Sequence, residues 1–339
     1  MSPAVPDTGA ALVAIGTDLG HSAAVIGTAL DDAGAEPSRR GTVFVIPARH
    51  WGAAATSIAE RLTAPEQRRV RVAWLDDDDL AASLLLARPF DEANARHSGS
   101  ALHDLIRRRA FRCAYQPIVE LGTGEPIGHE ALLRVAADEG DWTAGELFDT
   151  AASAGWTDAL DRIGREQAIE GAGAWIGDLR LFVNFIPTSV YRPEHCLTTT
   201  WRAAERAGLD PYQITFEVTE GTDVDPHHLD HVLDVYRAAG CQIAVDDVGA
   251  GYGSLSRVAR LRPDVVKLDL ALVQQLPAAA PTAVTRSIVG LADDIGATVL
   301  AEGIETEEQR RHCLDLGITL GQGWLFGRPE FADPLRFTA

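Results

Sequence analysis

Asp246 and Asp247 stand side by side where the apolar run Ile243-Ala244-Val245 gives way to the glycine-rich segment Gly249-Ala250-Gly251-Tyr252-Gly253. A buried strand that ends in two acids holds them rigidly at the edge of a core, where loops open to solvent. Two hard anionic ligands at such a place can share or divide a pair of divalent cations, and the glycines let the backbone approach a ligand closely. An isolated Asp-Asp more often caps the next helix, so the chemistry depends on other strands bringing ligands to the same end. They do. The second strand-like run carries Glu130, and Asn184, Glu217 with Glu220, Lys267 with Asp269, Glu302 with Glu305, and Gln322 each fall at or just beyond the end of a later one. Singly, Asn184 reads as a cap, Lys267 as a surface side chain lying along apolar neighbours, and Gln322 as a loop hydrogen-bonder. Their recurrence on successive strands favours one shared site. Glu130, Asn184, Glu217, Asp246, Asp247 and Glu302 form an oxygen-rich set without His or Cys, which suits Mg2+ or Mn2+ better than zinc or copper. Two such cations about 3.5–4 Å apart suit in-line attack on a phosphoester.

The elements that would carry these residues alternate from Phe111 onward. Strands are expected at Arg112–Val119, Pro126–Arg134, Arg180–Asn184, Gln213–Val218, Cys241–Asp247, Val265–Leu268, Thr298–Ala301 and Ile318–Gly321. Helical periodicity fills Ala144–Ala154, Trp156–Trp175, Pro226–Ala239 and Thr282–Ile295. Eight strands with mainly helical crossovers predict a closed α/β barrel. Only Gly122-Thr123-Gly124 separates the first two strands, so they should form an antiparallel hairpin. Before the barrel, Ala11–Gly16, Thr42–Ala48 and Val70–Leu75 read as strands and Gly52–Leu62 and Asp79–Arg88 as helices, a small α/β domain over 1–98. Asn94–Ser100 is small and polar, a linker edge, and a connecting helix is expected over 99–110, with the barrel at 111–339. The acidic run Asp76–Asp79 reads as a solvated turn feeding a helix N-terminus.

The 339 residues suffice for such a barrel and a smaller domain, and 46% hydrophobic with 23% charged residues marks a globular chain. A net charge of −19 argues against binding duplex nucleic acid or an anionic membrane, although metal ions can invert the field locally for an anionic substrate. No run of membrane-spanning length and no signal peptide is evident, and the four scattered cysteines lack zinc spacing, so a reducing cytoplasm is expected. His227, His228 and His231 fit a solvated helix edge better than a metal pair, and the glycines after Asp247 do not match a dinucleotide fingerprint.

Glu130-Ala131-Leu132 followed by Leu133-Arg134 resembles the signature of the EAL family of cyclic-di-GMP phosphodiesterases. The likeness extends through Tyr115-Gln116-Pro117-Ile118, Val183-Asn184-Phe185, Phe216-Glu217-Val218-Thr219-Glu220, Asp246-Asp247-Val248-Gly249, Lys267-Leu268-Asp269, Ala301-Glu302-Gly303-Ile304-Glu305 and Gln322-Gly323-Trp324, covering roughly 108–332 in order. It implies a variant TIM (β/α)8 barrel with an antiparallel first strand, which hydrolyses cyclic-di-GMP to linear 5'-pGpG with Mg2+ or Mn2+ and is inhibited by Ca2+. By the same resemblance Glu130, Asn184, Glu217, Asp246 and Asp247 are the metal ligands, with Glu302 and Gln322 as inner or water-mediated ones. Lys267, with Glu302 and Glu130, then serves catalysis; Gln116, Arg134 and Asp269 contact substrate; Glu220 orders the glycine-rich loop; and a homodimer is the expected assembly. Val248 replaces the family's usual Phe, and Phe185-Ile186 the commoner Leu-Ser, but no ligand is missing. Receptors of this family that bind without cleaving have commonly lost ligands, so the complete set favours an enzyme over a non-catalytic receptor signalling through the N-terminal domain or a partner. Gly41–Leu62, Val70–Trp74 and Leu80–Gly99 resemble the back half of a GGDEF-type cyclase domain without its Gly-Gly-Asp-Glu-Phe loop. That implies a degenerate regulatory or dimerising domain; an unrelated small α/β domain fits equally well.

Overall fold

The computed structural model describes residues 12–75, 87–136, 142–219, 224–249 and 254–332. The chain divides into two compact units, one of residues 1–104 with Asp149–Gly155, the other of Leu105–Phe148 with residues 156–339. Among the described residues no helix is long and apolar enough to cross a membrane.

In the first unit, strands β1 (Leu12–Gly16), β2 (Ser38–Arg40), β3 (Val43–Pro47), β4 (Arg71–Leu75) and β5 (Arg88–Pro89) form an antiparallel sheet in the order β2-β3-β1-β4-β5. Alternation along the strands gives it one large apolar face. Val13, Ile15, Phe44, Ile46 and Val72 pack there with Ile26, Ala29 and Leu30 of the helix Gly20–Asp32 and with Ala54, Ala55 and Ile58 of the helix Trp51–Ala59. Two helices crossing an antiparallel sheet whose central strand comes first is the split βαβ arrangement. Asp76–Asp79 and most of the helix expected over Asp79–Arg88 lie outside the described residues.

The linker expected at Asn94–Ser100 is instead helical, inside a helix running Phe90–Arg108. Two contributions outweigh the weak local propensity there. Phe90 and Ala93 are fully buried in the first core, and Asp91 and Glu92 favour the positive end of the helix.

The second unit is the barrel. Its strands are β6 (Phe111–Glu120), β7 (Pro126–Val135), β8 (Arg180–Asn184), β9 (Ile214–Thr219), β10 (Gln242–Val248), β11 (Val265–Leu268), β12 (Thr298–Ala301) and β13 (Leu320–Gln322). β6 pairs antiparallel with both β7 and β13 and so closes the ring, while β7 to β13 run parallel. The short turn and the helical crossovers thus have the outcome that the sequence predicts, with strand ends moved by one or two residues. A further two-residue strand, β14 (Glu330–Phe331), pairs antiparallel with β6 at Ala114 and Tyr115. The parallel strands are buried on both sides, which is why they read as continuous apolar runs; all four residues of β11 are buried, Lys267 among them.

Candidate active site

Sheet register brings the predicted residues together. Glu130 on β7 lies opposite Gln116 on β6, and Asn184 at the end of β8 lies opposite Glu217 on β9. Lys267 rises from the middle of β11 into the space between them. Its ammonium is 2.8 Å from Glu302, 3.0 Å from Glu217, 3.0 Å from Asp246 and 3.7 Å from Glu130, and its side chain is 1% exposed. Glu130 is fixed from two more sides. Asn184 donates through Nδ2 to its Oε1 at 3.0 Å, and Gln322 donates through Nε2 to its Oε2 at 2.7 Å. The same Gln322 nitrogen is 3.0 Å from Gln116 Oε1, and Gln116 donates in turn to the Gly327 carbonyl at 3.1 Å. With its nitrogen committed to Glu130, the Asn184 amide keeps its oxygen for another partner.

Adjacent residues on a regular strand face opposite ways, so Asp246 and Asp247 need a local irregularity to act together. The structure supplies one. Val245 pairs with Val266 and Val248 with Leu268, leaving β10 one residue longer than β11 across this stretch. Asp247 takes up the bulge with φ of 57°, a conformation that aspartate tolerates better than most residues. As a result Asp246, Asp247 and Glu302 each bring a carboxylate oxygen within 4.8 Å of the others. Among the described residues this is the only group of three or more His, Cys, Asp or Glu that meets that criterion.

Four carboxylates around one ammonium, with the more exposed Asp247 beside them, leave an excess of negative charge in a largely buried pocket. Burial pushes Glu217 well above the usual carboxylate range, with Lys267 opposing and Glu130 and Asp246 reinforcing. Burial likewise raises Glu302 to about 8 against the pull of Lys267, and raises Asp247, helped by Asp246. Glu130 goes the other way: burial would raise it, but Lys267 and the Gln322 and Asn184 hydrogen bonds together hold it down. Burial also works against the Lys267 charge, yet its acidic neighbours outweigh that and keep the ammonium protonated far above its ordinary pKa. Such a cluster is relieved either by protons or by cations. The donor set is oxygen only, several groups are acidic, and three converge, so these residues fit divalent Mg2+ or Mn2+.

The other predicted residues fall as follows. Arg134 shares the Glu130 side of β7, about 13 Å further along the strand, and its guanidinium donates to the Leu133 carbonyl at 2.9 Å. Asp269 caps the short helix Leu270–Gln274, accepting from Ala271 N–H at 2.8 Å. Glu220 lies outside the described residues, as do 250–253 of the glycine-rich loop. Among the histidines, the His228 N–H donates to the capping Asp225 carboxylate at 2.9 Å and the His228 ring reaches the Pro187 carbonyl, while His231 pairs with Glu194 at 3.0 Å. Sequence reasoning missed the bulge, the Gln116–Gln322–Glu130 chain, and a buried ion pair, Asp161 with Arg165, on the helix Thr157–Ala172. The last had a signal in its i, i+4 spacing on an otherwise apolar helix face.

Gly323, next to Gln322, makes the closest approach at the site. A Cβ there would stand 2.1 Å from the Ile304 carbonyl oxygen and 2.3 Å from its nitrogen, both backbone atoms that cannot swing aside. Gly323→Ala is therefore expected to lower stability by at least about 2 kcal/mol, read from urea unfolding, because overpacking against main chain forces a backbone shift. A loss below about 0.5 kcal/mol, the usual range for a neutral surface change, would contradict that packing.

Comparison with known proteins agrees with this geometry. The EAL domain model matches residues 100–329. A probable cyclic di-GMP phosphodiesterase of Escherichia coli, PdeB, is 30% identical over 253 residues, which cover 74% of this chain and 48% of that protein; the chain thus spans about half of that relative's length. Among solved structures, the PaMucR phosphodiesterase in complex with c-di-GMP superposes with a TM-score of 0.62 at 30% identity, over 70% of this chain and 99% of that one. The Bacillus subtilis YkuI protein, an EAL-domain protein in complex with c-di-GMP and calcium, gives 0.58 at 28% identity over 68% of this chain and 58% of that one. A closed barrel with its first strand reversed, acids converging at its strand ends, and a family match over most of the chain lead to one conclusion: the protein belongs to the EAL domain family.

Proposed function

We propose that the protein hydrolyses cyclic-di-GMP to linear 5'-pGpG with the help of Mg2+ or Mn2+. The observation that carries this reading is the convergence of Asp246, Asp247 and Glu302 beside Glu130, Glu217 and Lys267, a ligand set with no member missing. The names of the relatives, which act on or bind c-di-GMP, supply the substrate. Glu130, Asn184, Glu217, Asp246 and Asp247 would hold the cations, with Glu302 and Gln322 beside them. When bound, the cations would make water a better nucleophile and draw charge from the phosphodiester.

The protein's own groups do the rest. Lys267 holds the acids at fixed spacing and carries a proton that burial cannot easily remove, so it can stabilise developing negative charge at the phosphorus. Gln322 and Gln116 lock the rotamer of Glu130. Arg134, further out on the same side of β7, offers a planar fork for a phosphate oxygen pair. Asp269 would contact substrate from its place at a helix start. Glu220 would order the loop after Asp247, and the first unit would act as a regulatory domain.

The test is chromatographic. Incubation with cyclic-di-GMP and Mg2+ or Mn2+ is expected to yield pGpG, and excess EDTA to stop it. Substrate that binds but yields no linear product after long incubation would refute the enzyme and favour a receptor. Calcium should inhibit when titrated into the Mg2+ reaction. It accepts the same oxygens at longer distances and with a looser shell, which misplaces the groups that must act together. Equal rates with either ion would refute the two-cation site.

A further inference from the structure

Asn184 is an exposed member of the proposed metal set, and β8 ends with it. Beyond that point no ladder holds the chain, and an unpaired backbone N–H in a buried segment is costly. Three consecutive residues at this exit are nevertheless fastened. The Asn184 amide donates to Glu130. The Phe185 N–H donates to the Glu217 carbonyl at 3.1 Å, and its ring packs edge-on against Phe216 and Tyr236. The Ile186 N–H donates at 2.8 Å to Oδ1 of Asp161, which stands on the helix Thr157–Ala172.

Asp161 is 4% exposed, and its other oxygen is taken up by Arg165, itself 1% exposed, through Nε at 3.1 Å and Nη2 at 2.9 Å. The remaining Arg165 nitrogen, Nη1, donates to Thr200 on the helix Thr198–Ala207 at 2.6 Å. For stability alone a buried ion pair is a poor device, because an apolar pair of similar volume often holds a core as well. What an apolar pair cannot do is accept the Ile186 N–H. The arginine fixes the aspartate, the aspartate fixes the backbone two residues beyond Asn184, and Asn184, its nitrogen on Glu130, keeps its oxygen for another partner.

We infer that Asp161, held by Arg165, is a positioning residue for the metal ligand Asn184, acting through the Ile186 amide. This rests on the proposed metal-dependent site, and the test separates the two. Mn2+ binding is measured by calorimetry without substrate on three proteins: wild type, Asp161→Leu/Arg165→Met and Asp161→Asn/Arg165→Gln. The first double variant leaves no buried charge, so it is expected to fold, and it removes the acceptor. The second also buries no charge but keeps a side-chain oxygen for Ile186. The expected result is Mn2+ binding about 10-fold or more weaker in the Leu/Met variant, the usual scale for losing an outer support of a ligand. The Asn/Gln variant should bind within about threefold of wild type, and raising Mn2+ should restore the Leu/Met rate of phosphodiester cleavage. Thermal melting accompanies each measurement, because a merely structural role would move the melting temperature without moving Mn2+ affinity at 20 °C. If the folded Leu/Met variant binds Mn2+ as wild type does, the inference is overturned while the proposed function stands. If Leu/Met does not fold, Asn/Gln decides: retained binding supports the inference, and binding lost in a folded protein overturns it. If wild type itself binds no Mn2+, it is the proposed function that fails.

Discussion

Asp246→Ala abolishes turnover and leaves the metal-free protein at least as stable as its parent. Both halves follow from the surroundings of Lys267. Its ammonium contacts Glu302, Glu217 and Glu130 as well as Asp246, so deleting one acid does not strand a buried cation. It removes one negative charge from a cluster in which Glu217 and Glu302 are already pushed toward their neutral forms by burial and by each other's neighbours. Repulsion relieved should offset the little packing that so small a side chain provides. The catalytic half follows from the bulge: Asp246 is one of three groups whose oxygens converge, and its loss leaves only two of them. Turnover should fall by about 10³-fold or more, since the variant loses a ligand on which the whole electrostatic arrangement depends. Activity in Mg2+ and melting in chelator, measured on the same preparation, check both. A variant that keeps a tenth of the parental rate would remove Asp246 from the ligand set, and one that melts much lower in chelator would show that the acids stabilise rather than repel.

Much of this site was legible because a parallel barrel turns linear order into spatial order. Each strand has one end at the same face, so a polar residue that ends an apolar run is placed by topology before any contact is known. That is why Asn184, Glu217, Asp246, Lys267 and Gln322 could be read as neighbours from widely separated positions, and why the hairpin turn at Gly122-Thr123-Gly124 revealed the reversed first strand. What stayed hidden depends on departures from regularity. A bulge leaves the order of residues unchanged, so no pattern in the sequence reports the joint aim of Asp246 and Asp247. The place of Lys267 in the site was legible, but its complete burial was not, because lysine is usually exposed and only the closed ring encloses it. The stretch Asn94–Ser100 misled for the opposite reason, since its small polar residues suggest a linker while tertiary packing at Phe90 and Ala93 holds the helix. The i, i+4 spacing of Asp161 and Arg165 could be seen, but the use of Asp161 could not, because it lies in a backbone amide that no side-chain pattern reports.

Lys267→Met separates the charge that holds the site together from the chemistry it performs. In the metal-free parent two acids of this pocket have folded pKa values above their unfolded ones, Glu302 rising from 4.5 to about 8 and Glu217 rising well above its ordinary value, both because of burial, whereas Glu130 is held below its own. A carboxyl raised on folding contributes stability that is fully present below its unfolded pKa and is lost as pH rises through its folded one. Melting temperature in chelator should therefore decline between about pH 4.5 and 8, by several degrees for a barrel of this size. In Lys267→Met the decline should be steeper, because the ammonium now opposes the rise of Glu217 and Glu302 and afterwards would not. Mg2+ or Mn2+ replaces protons on the same oxygens, so it should raise the melting temperature more at pH 8 than at pH 5.5, and the variant should gain at least as much as the parent. Turnover is expected to behave differently. Cations can restore the missing charge but not a proton-bearing group at the position of Nζ, so the rate should stay about 10²- to 10⁴-fold below the parent even at saturating metal, the range for losing a positioned proton donor or acceptor. Recovery of both stability and rate on adding metal would reduce Lys267 to a counterion. A melting temperature independent of pH and metal in both proteins would mean that the acids around Lys267 do not repel one another, and the charge balance described for this site would be wrong.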